Sequence, residues 1–178
     1  MNDSEEQIIL VDGEDRETGL APKLEAHLQG LRHRAISVCI LDQRGRMLLQ
    51  RRAAGKYHSG GLWTNACCTH PRAGEAVAEA ARRRLREELG VDCDLKFAFR
   101  THYRADVGNG LTEDEIVHLF VGAYDGAVTP DPEEVSGFEW VTRAELRQRI
   151  AADPEAYTYW FRHYMLNYAD EMFSALAA

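Results

Sequence analysis

Alternating and continuous apolar runs, separated by turn signals, predict most of the strands in this chain. Such runs are typical of β-strands when Gly, Asp or Asn residues bound them. Asp12-Gly13 ends the first run, and the Gly-containing turns at residues 42–45 and 107–110 each predict a hairpin. The predicted strands cover residues 7–11, 35–41, 46–50, 62–68, 95–105, 111–124 and 137–141.

Apolar residues at helical spacing predict the helices. In residues 75–89, Val77, Ala81 and Leu85 recur every four positions, and Gly90 supplies a C-terminal stop. Strands mixed with helices, without regular β-α-β alternation, favour the α+β class, with a mixed sheet covered by helices. The other predicted helices span residues 23–29, 142–151 (behind a capping box) and 158–176.

The composition limits the possible functions. A chain of 178 residues with 45% hydrophobic residues can bury one good core, which favours a single domain over residues 1–178. Its net charge of -8 argues against nonspecific binding to nucleic acid or to an anionic membrane. No apolar stretch approaches the roughly 20 residues of a membrane span. We expect residues 1–6 to be disordered, and their acidic character is unlike that of a signal peptide.

The cysteines indicate a reducing compartment. Cys39, Cys67, Cys68 and Cys93 follow neither a disulfide framework nor a zinc-ribbon spacing, and adjacent cysteines bridge only with strain. Reduced thiols in a cytoplasmic protein are the simplest interpretation.

Basic residues are clustered despite the acidic balance. Arg52 lies close to Lys56 in the sequence, and residues 82–86 are rich in arginine. Clusters of this kind suit a small polyanionic ligand. A solvated helix face is the alternative, and we favour it for Arg82 and Arg86.

Two carboxylates share one face of a predicted strand. Glu113 and Glu115 are two residues apart, and the same parity continues through Val117, Leu119 and Val121, which we expect to face the core. Carboxylates beside a core are costly unless a cation compensates them. An exposed strand end is the alternative, so the pattern alone leaves a metal site open.

A thiol and an imidazole stand close together where the predicted strand 62–68 ends. Cys68 and His70 share strand parity and therefore face one side, whereas Cys67 points to the other. A free cysteine is most often a small buried hydrophobe, which is our interpretation of Cys67. For Cys68 the local pattern leaves a buried thiol and a reactive thiol equally open.

The helix that follows is similar to the Nudix box, G-x5-E-x7-R-E-U-x-E-E-x-G-U. Thr69 replaces the first glycine, and Arg84 replaces the first glutamate of the REUxEE core, which a Nudix hydrolase needs to hold its metals. A diphosphate-binding frame without that glutamate, next to the thiol of Cys68, resembles the type I isopentenyl-diphosphate isomerase family. The matching positions are Glu75, Arg83, Leu85, Glu87, Glu88, Gly90 and Val91.

The resemblance implies a Nudix fold, an α/β/α sandwich in which residues 154–178 form a C-terminal helix over the active site. It implies a divalent metal (Zn²⁺, Mn²⁺ or Mg²⁺) and a separate Mg²⁺ that Glu88 holds against a diphosphate. The implied ligands of the first metal are His27, His33, His70, Glu113 and Glu115. The residues implied to bind the diphosphate are Lys23, Arg52, Lys56 and Arg84. The other histidines, which match nothing in the family and which we expect to lie outside the site, are His58, His102, His118 and His163.

The implied activity is the interconversion of isopentenyl and dimethylallyl diphosphate by protonation and deprotonation. The resemblance assigns catalysis to Cys68, to Glu115 with Tyr103, and to Trp160; whether Tyr103 or Glu115 donates the proton stays open. We expect a small-molecule isoprenoid diphosphate as partner, with neither nucleic acid nor membrane. We also expect a cytoplasmic monomer, with a homodimer as the alternative. A Nudix pyrophosphohydrolase and a catalytically inactive ligand sensor are the rival interpretations.

Overall fold

The computed structural model describes residues 6–176, and within that range nine strands form one mixed sheet. The strands are β1 Gln7–Val11, β2 Glu17–Pro22, β3 Arg32–Leu41, β4 Met47–Arg52, β5 Trp63–Thr64, β6 Cys67–Thr69, β7 Leu95–Gly108, β8 Leu111–Ala123 and β9 Val135–Val141. The helices are α1 Lys23–Gln29, α2 Val77–Leu89, α3 Arg143–Ala152, α4 Tyr159–Asn167 and α5 Ala169–Ser174, with a 3₁₀ turn at Pro154–Ala156.

Strand β3 is the centre of the sheet. It runs parallel to β8 along its whole length, from Arg32 opposite Asp114 to Leu41 opposite Ala123. It also pairs antiparallel with β1, β4 and β6. Strands β7 and β8 form a long antiparallel hairpin, and β4 pairs with β5 and β9. The sheet is therefore mixed, as the sequence predicts.

Helices cover both faces of the sheet, which confirms the predicted sandwich. On one face, Leu85 and Leu89 of α2 belong to a buried apolar cluster with Ile36 and Val38 of β3. Side chains of α4 and α5 pack on the other face. There Phe161 of α4 belongs to a second buried apolar cluster, which also contains residues of the sheet. Alternation along the strands sends successive side chains into the two layers. Among residues 6–176, none of the helices is long and apolar enough to cross a membrane.

One strand was not predicted, and two predicted elements are each divided in the structure. The sequence pattern missed β2, because half of its residues are exposed and the strand gives no apolar alternation. The single strand predicted over residues 62–68 is two short strands. They are interrupted where the buried amide of Asn65 donates to the carbonyls of Val38 and Cys67 at 2.9 and 3.0 Å. The helix predicted over residues 158–176 is broken at Tyr168, whose φ of -136° is not helical.

The hairpins and helix ends agree with the predicted turn chemistry. Residues 142–145 form the predicted capping box. The Asn-Gly turn between β7 and β8 has Asn109 at φ 56°. Helix α2 begins at Val77, two residues later than predicted, and ends at Gly90 in the left-handed conformation. Of the predicted disordered residues 1–6, the first five lie outside the described residues. Glu6 is described and pairs with Lys23.

We expect Gly90→Ala to destabilise the fold more than Gly45→Ala. Both glycines have positive φ, 63° and 70°, so each alanine costs about 1 kcal/mol in backbone strain. A Cβ at Gly90 would also clash with Oγ1 of Thr129, whereas a Cβ at Gly45 meets no atom within 4 Å. Urea denaturation of both variants measures the difference, and equal losses of unfolding free energy would contradict the clash.

Candidate active site

A cavity of about 290 Å³ lies on the sheet face that α4 covers. It brings together side chains from α1, β4, α2, β7, β8 and α4 that are far apart in the sequence. His27 and His33 are fully buried beside it. The predicted site residues that line the cavity are Lys23, Arg52, Lys56, Cys68, His70, Arg84, Glu88, Tyr103, Glu113, Glu115 and Trp160.

Backbone hydrogen bonds orient two of the predicted histidine ligands. Nδ1 of His27 donates to the carbonyl of Lys23 at 2.7 Å, and Nδ1 of His33 donates to the carbonyl of Leu31 at 2.7 Å. In a neutral ring, Nε2 then keeps its lone pair. Nε2 of His27 is buried and has no hydrogen-bond partner among the described residues. Both rings are therefore prepared to act as ligands through Nε2.

The sheet places Glu115 against these rings. His33 pairs with Glu115 across β3 and β8, and its Nε2 lies 3.3 Å from Oε1 of that carboxylate. Nε2 of His70 lies 3.1 Å from the same oxygen. Ligand atoms of His27, His33, His70 and Glu115 all lie within 4.8 Å of one another. A neutral His33 would present a lone pair to a carboxylate oxygen, an arrangement that a shared cation stabilises.

The protonation states of the cluster also suit a cation. Burial, together with the neighbouring His70, lowers the pKa of His27 to about 3. Burial opposes ionisation of Glu115, but the facing His33 and His70 rings bring the pKa of that carboxyl well below its usual value. Burial and the Glu115 charge raise the pKa of Glu113 well above its usual value. The neutral imidazole of His27 beside the ionised carboxylate of Glu115 fits a divalent metal ion.

Tyr103 connects the two carboxylates. The hairpin register puts Tyr103 opposite Glu115. Its hydroxyl lies 2.8 Å from Oε2 of Glu113 and 2.7 Å from Oε2 of Glu115, and it donates its proton to one of them at a time. Burial and the two carboxylates raise the pKa of Tyr103 well above its usual value, so the phenol stays protonated.

Cys68 faces the cavity, and Cys67 is buried on the opposite side of the sheet beneath α2. The hydroxyl of Ser37 lies 3.1 Å from Sγ of Cys68, and the amide of Asn65 lies 3.4 Å from it. Burial raises the pKa of Cys68 to about 12, although the bonds to Ser37 and Asn65 oppose the shift. The thiol is therefore neutral, and it is oriented by Ser37 of β3 and by Asn65 between β5 and β6.

Two cations of the cavity, Lys56 and Arg84, are held by carboxylates. Nε of Arg84 donates to Glu88 at 2.6 Å, an ion pair between residues four apart on one helix face. Nη2 of Arg84 donates to Oε2 of Glu134 at 2.6 Å, and Nζ of Lys56 donates to the same oxygen at 2.6 Å. Burial raises the pKa of Glu88, although Arg84 opposes the shift. The amide of Gln50 also donates to Glu88 at 2.7 Å.

Trp160 closes one side of the cavity. Its indole N–H donates to Oγ1 of Thr64 at 2.8 Å, which fixes the orientation of the ring. The guanidinium of Arg52 lies 5.4 Å from the ring centroid, within the range of a cation–π contact. With only 3% of its surface exposed, Trp160 is both a core residue and part of the cavity wall.

The expectation that His58 lies outside the site is wrong. His58 is 5% exposed and lines the cavity, with Nε2 3.4 Å from Oε1 of Glu113. Ligand atoms of His27, His58 and Glu113 form a second group within 4.8 Å. The turn that places His58 in the cavity contains Ser59 in the left-handed conformation, at φ 52°. The sequence does not indicate this conformation. A lone histidine in a loop gives no spacing that would predict this position.

The remaining histidines lie outside the cavity lining, as expected. His102 and His118 have the opposite strand parity to Glu115, and they bond Asp114 at 2.8 Å and Asp15 at 2.6 Å. His163 lies 3.3 Å from the hydroxyl of Thr101. The sequence pattern also missed several polar residues that contact predicted site residues. Among them are Ser37, Gln50, Thr64, Asn65 and Glu134.

Solved structures with the same fold support the architecture. A crystal structure of a protein from Deinococcus radiodurans superposes with a TM-score of 0.68 and 21% identity, covering 83% of this chain and 90% of that chain. The MutT protein from Methanosarcina mazei gives a TM-score of 0.65 with 18% identity, covering 79% and 94%. At these identities the likeness concerns the fold alone.

Sequence relatives are much more similar. Isopentenyl-diphosphate Delta-isomerase 2 from Aromatoleum aromaticum is 53% identical over 88% of this chain and 82% of its own length. Isopentenyl-diphosphate Delta-isomerase from Jannaschia sp. is 54% identical over 86% of this chain and 88% of its own. The NUDIX domain family model matches residues 31–161. The chain therefore belongs to the NUDIX family and, within it, to the isopentenyl-diphosphate Delta-isomerases.

Proposed function

We propose that this protein is an isomerase that interconverts isopentenyl diphosphate and dimethylallyl diphosphate. One observation supports this most directly. Cys68 and the hydrogen-bonded pair Tyr103 and Glu115 line the same cavity as the cations Lys56 and Arg84. Groups that hold protons and groups that bind a diphosphate therefore share one small, largely buried space.

The diphosphate is bound by Lys23, Arg52, Lys56 and Arg84. Charge-assisted hydrogen bonds to phosphate oxygens are among the stronger polar interactions in proteins. Glu88, which is 4% exposed and adjoins Arg84, is placed to hold Mg²⁺ against the same diphosphate. The substrate is thereby oriented with its alkene near the proton-carrying groups.

The reaction moves a double bond by adding a proton at one carbon and removing a proton from another. An unactivated alkene is a very weak base, so the acid must be positioned and strong. Tyr103 and Glu115 share a hydrogen bond and form the acid on one side of the substrate. The phenol holds the shared proton, which reaches the alkene either directly from Tyr103 or by way of Glu115. The sulfur of Cys68 takes up the second proton after its thiol has released its own, so the proton count of the substrate is unchanged. The enzyme resets when Cys68 loses a proton and the Tyr103–Glu115 pair regains one.

The intermediate is a tertiary carbocation, which water would capture. Trp160 presents a buried ring in the cavity wall, and a cation–π contact contributes roughly 2 kcal/mol when desolvated. The hydrogen bond from its indole to Thr64 keeps that ring in place. Residues of the C-terminal segment thus both stabilise the cation and exclude water.

The ligands that would hold the first metal are His27, His33, His70, Glu113 and Glu115, and Zn²⁺, Mn²⁺ and Mg²⁺ are the candidates. Such an ion supplies positive charge that strengthens a nearby carboxyl or phenol as an acid. His58 is not among these ligands, but its Nε2 lies 3.4 Å from Oε1 of Glu113.

The proposal also includes one domain over residues 1–178 and a cytoplasmic location. A single sheet joins the described residues, and all four cysteines are free, as in a reducing compartment. We propose a monomer as the functional unit, with a homodimer as the alternative.

Incubation with isopentenyl diphosphate and Mg²⁺ in D₂O tests the activity. We expect deuterium to enter the substrate and dimethylallyl diphosphate to form, because both proton-exchanging groups lie in the cavity. Mass spectrometry measures the incorporation. Release of phosphate from nucleoside diphosphate derivatives, without deuterium exchange, would identify a pyrophosphohydrolase instead.

We expect Cys68→Ala to lower isomerase turnover by about 10²–10⁴-fold, the usual contribution of a positioned acid or base. Binding of inorganic diphosphate should be unchanged, because the thiol contacts Ser37 and Asn65 rather than the cations. Cys67→Ala is the matched control, since that thiol lies beneath α2. An inactive Cys67→Ala beside an active Cys68→Ala would reverse the assignment.

We expect purified protein to contain one tightly bound divalent ion per chain, and His33→Ala to lose it. His33 is fully buried and adjoins Glu115, whereas His102, 45% exposed in its side chain, lies outside the cavity. Elemental analysis of wild type, His33→Ala and His102→Ala measures the metal content. Wild-type protein without a bound ion that remains fully active in chelator would contradict the metal site.

A further inference from the structure

Glu134 occupies a place among the cations that no sequence pattern predicts. One of its carboxylate oxygens accepts hydrogen bonds from Nζ of Lys56 and from the guanidinium of Arg84, both at 2.6 Å. Its side chain is 23% exposed, while those of Lys56 and Arg84 are 11% and 20% exposed. Glu134 also lines the cavity. It is therefore a partly buried anion that joins two of the proposed diphosphate-binding residues.

The backbone around Glu134 is fixed to the elements that carry these two cations. The amide of Asp131 donates to the carbonyl of Glu88 in α2 at 2.9 Å, and the carbonyl of Glu134 accepts from the amide of Ala53 at 2.9 Å. The next residue, Val135, is 3% exposed and begins β9. The backbone of Glu134 is thus fixed between α2 and the loop after β4, and this position directs its carboxylate toward Lys56 and Arg84.

We propose that Glu134 is an internal competitor for the diphosphate, holding Lys56 and Arg84 until the substrate displaces it from both. The inference rests on the proposed function, because it takes these two cations as diphosphate ligands. An entering phosphate oxygen needs the same N–H groups that Glu134 accepts from, and it meets the negative charge of that carboxylate. Affinity for the diphosphate is lower than the cations alone would give.

The same contacts explain why a competing carboxylate is useful. Two cations that are largely buried and close together repel one another and lose hydration, and a shared anion offsets both costs. Glu134 therefore keeps Lys56 and Arg84 ordered while the substrate is absent. A ligand with enough negative charge to replace it finds both cations already in position, which lowers the entropy lost on binding.

Glu134→Gln tests the competition, because glutamine keeps the size and one acceptor oxygen but has no charge. The probe is inorganic diphosphate, titrated by calorimetry into protein that retains its own tightly bound metal, in buffer without added Mg²⁺. We expect Glu134→Gln to bind the probe about tenfold more tightly than wild type, the size of one charge-assisted contact. Glu133→Gln is the matched control, since Glu133 is the exposed neighbour with the same charge. Its affinity should equal that of wild type.

The outcomes separate this inference from the proposed activity. Weaker or unchanged binding by Glu134→Gln, with melting temperature retained, overturns the competition, and so does equal tightening by Glu133→Gln. A wild-type protein that exchanges deuterium into isopentenyl diphosphate keeps its proposed function in either case. If neither wild type nor Glu134→Gln binds the probe, the competition and the assignment of the cations both fall.

Discussion

The parallel pairing of β3 with β8 is the constraint on which the site depends. Its register sets His33 beside Glu115, and the alternation of β8 puts Glu113 on the same face. Because β8 also forms the hairpin with β7, Tyr103 lies opposite Glu115. A shift of one residue in either pairing would turn these side chains to the α2 face. The relative placement of His33, Tyr103, Glu113 and Glu115 is therefore a property of the sheet.

Charge compensation is the second constraint, and the cavity meets it in two ways. Imidazoles and a phenol surround the carboxylates Glu113 and Glu115, an arrangement that fits a bound cation. Arg84 and Lys56 are instead neutralised by carboxylates of the protein itself, Glu88 and Glu134. In the Nudix box the position of Arg84 is a glutamate. Here the arginine adds a positive charge beside Glu88, which suits binding a diphosphate more than activating water against it.

The sequence by itself determined the fold class and most elements, and its resemblance to a known family implied about half of the residues that line the cavity. The Nudix-box spacing, the parity of Glu113 and Glu115, and the opposite orientations of Cys67 and Cys68 depend on helix and strand periods, which are local properties. Turn and cap chemistry is equally local, so the Asn109-Gly110 hairpin and the end of α2 at Gly90 were predictable.

Only the tertiary structure decided which polar residues from loops and distant strands meet in the cavity. His58 reaches Glu113 through a turn with a left-handed Ser59, and Glu134 reaches two cations from the segment before β9. Neither has a periodic or spaced pattern, because their positions depend on long-range packing. The break at Asn65 has the same origin. The buried side-chain amide of Asn65 donates hydrogen bonds to backbone carbonyls of β3 and β6. The carbonyl of β3 comes within reach only once the sheet has formed.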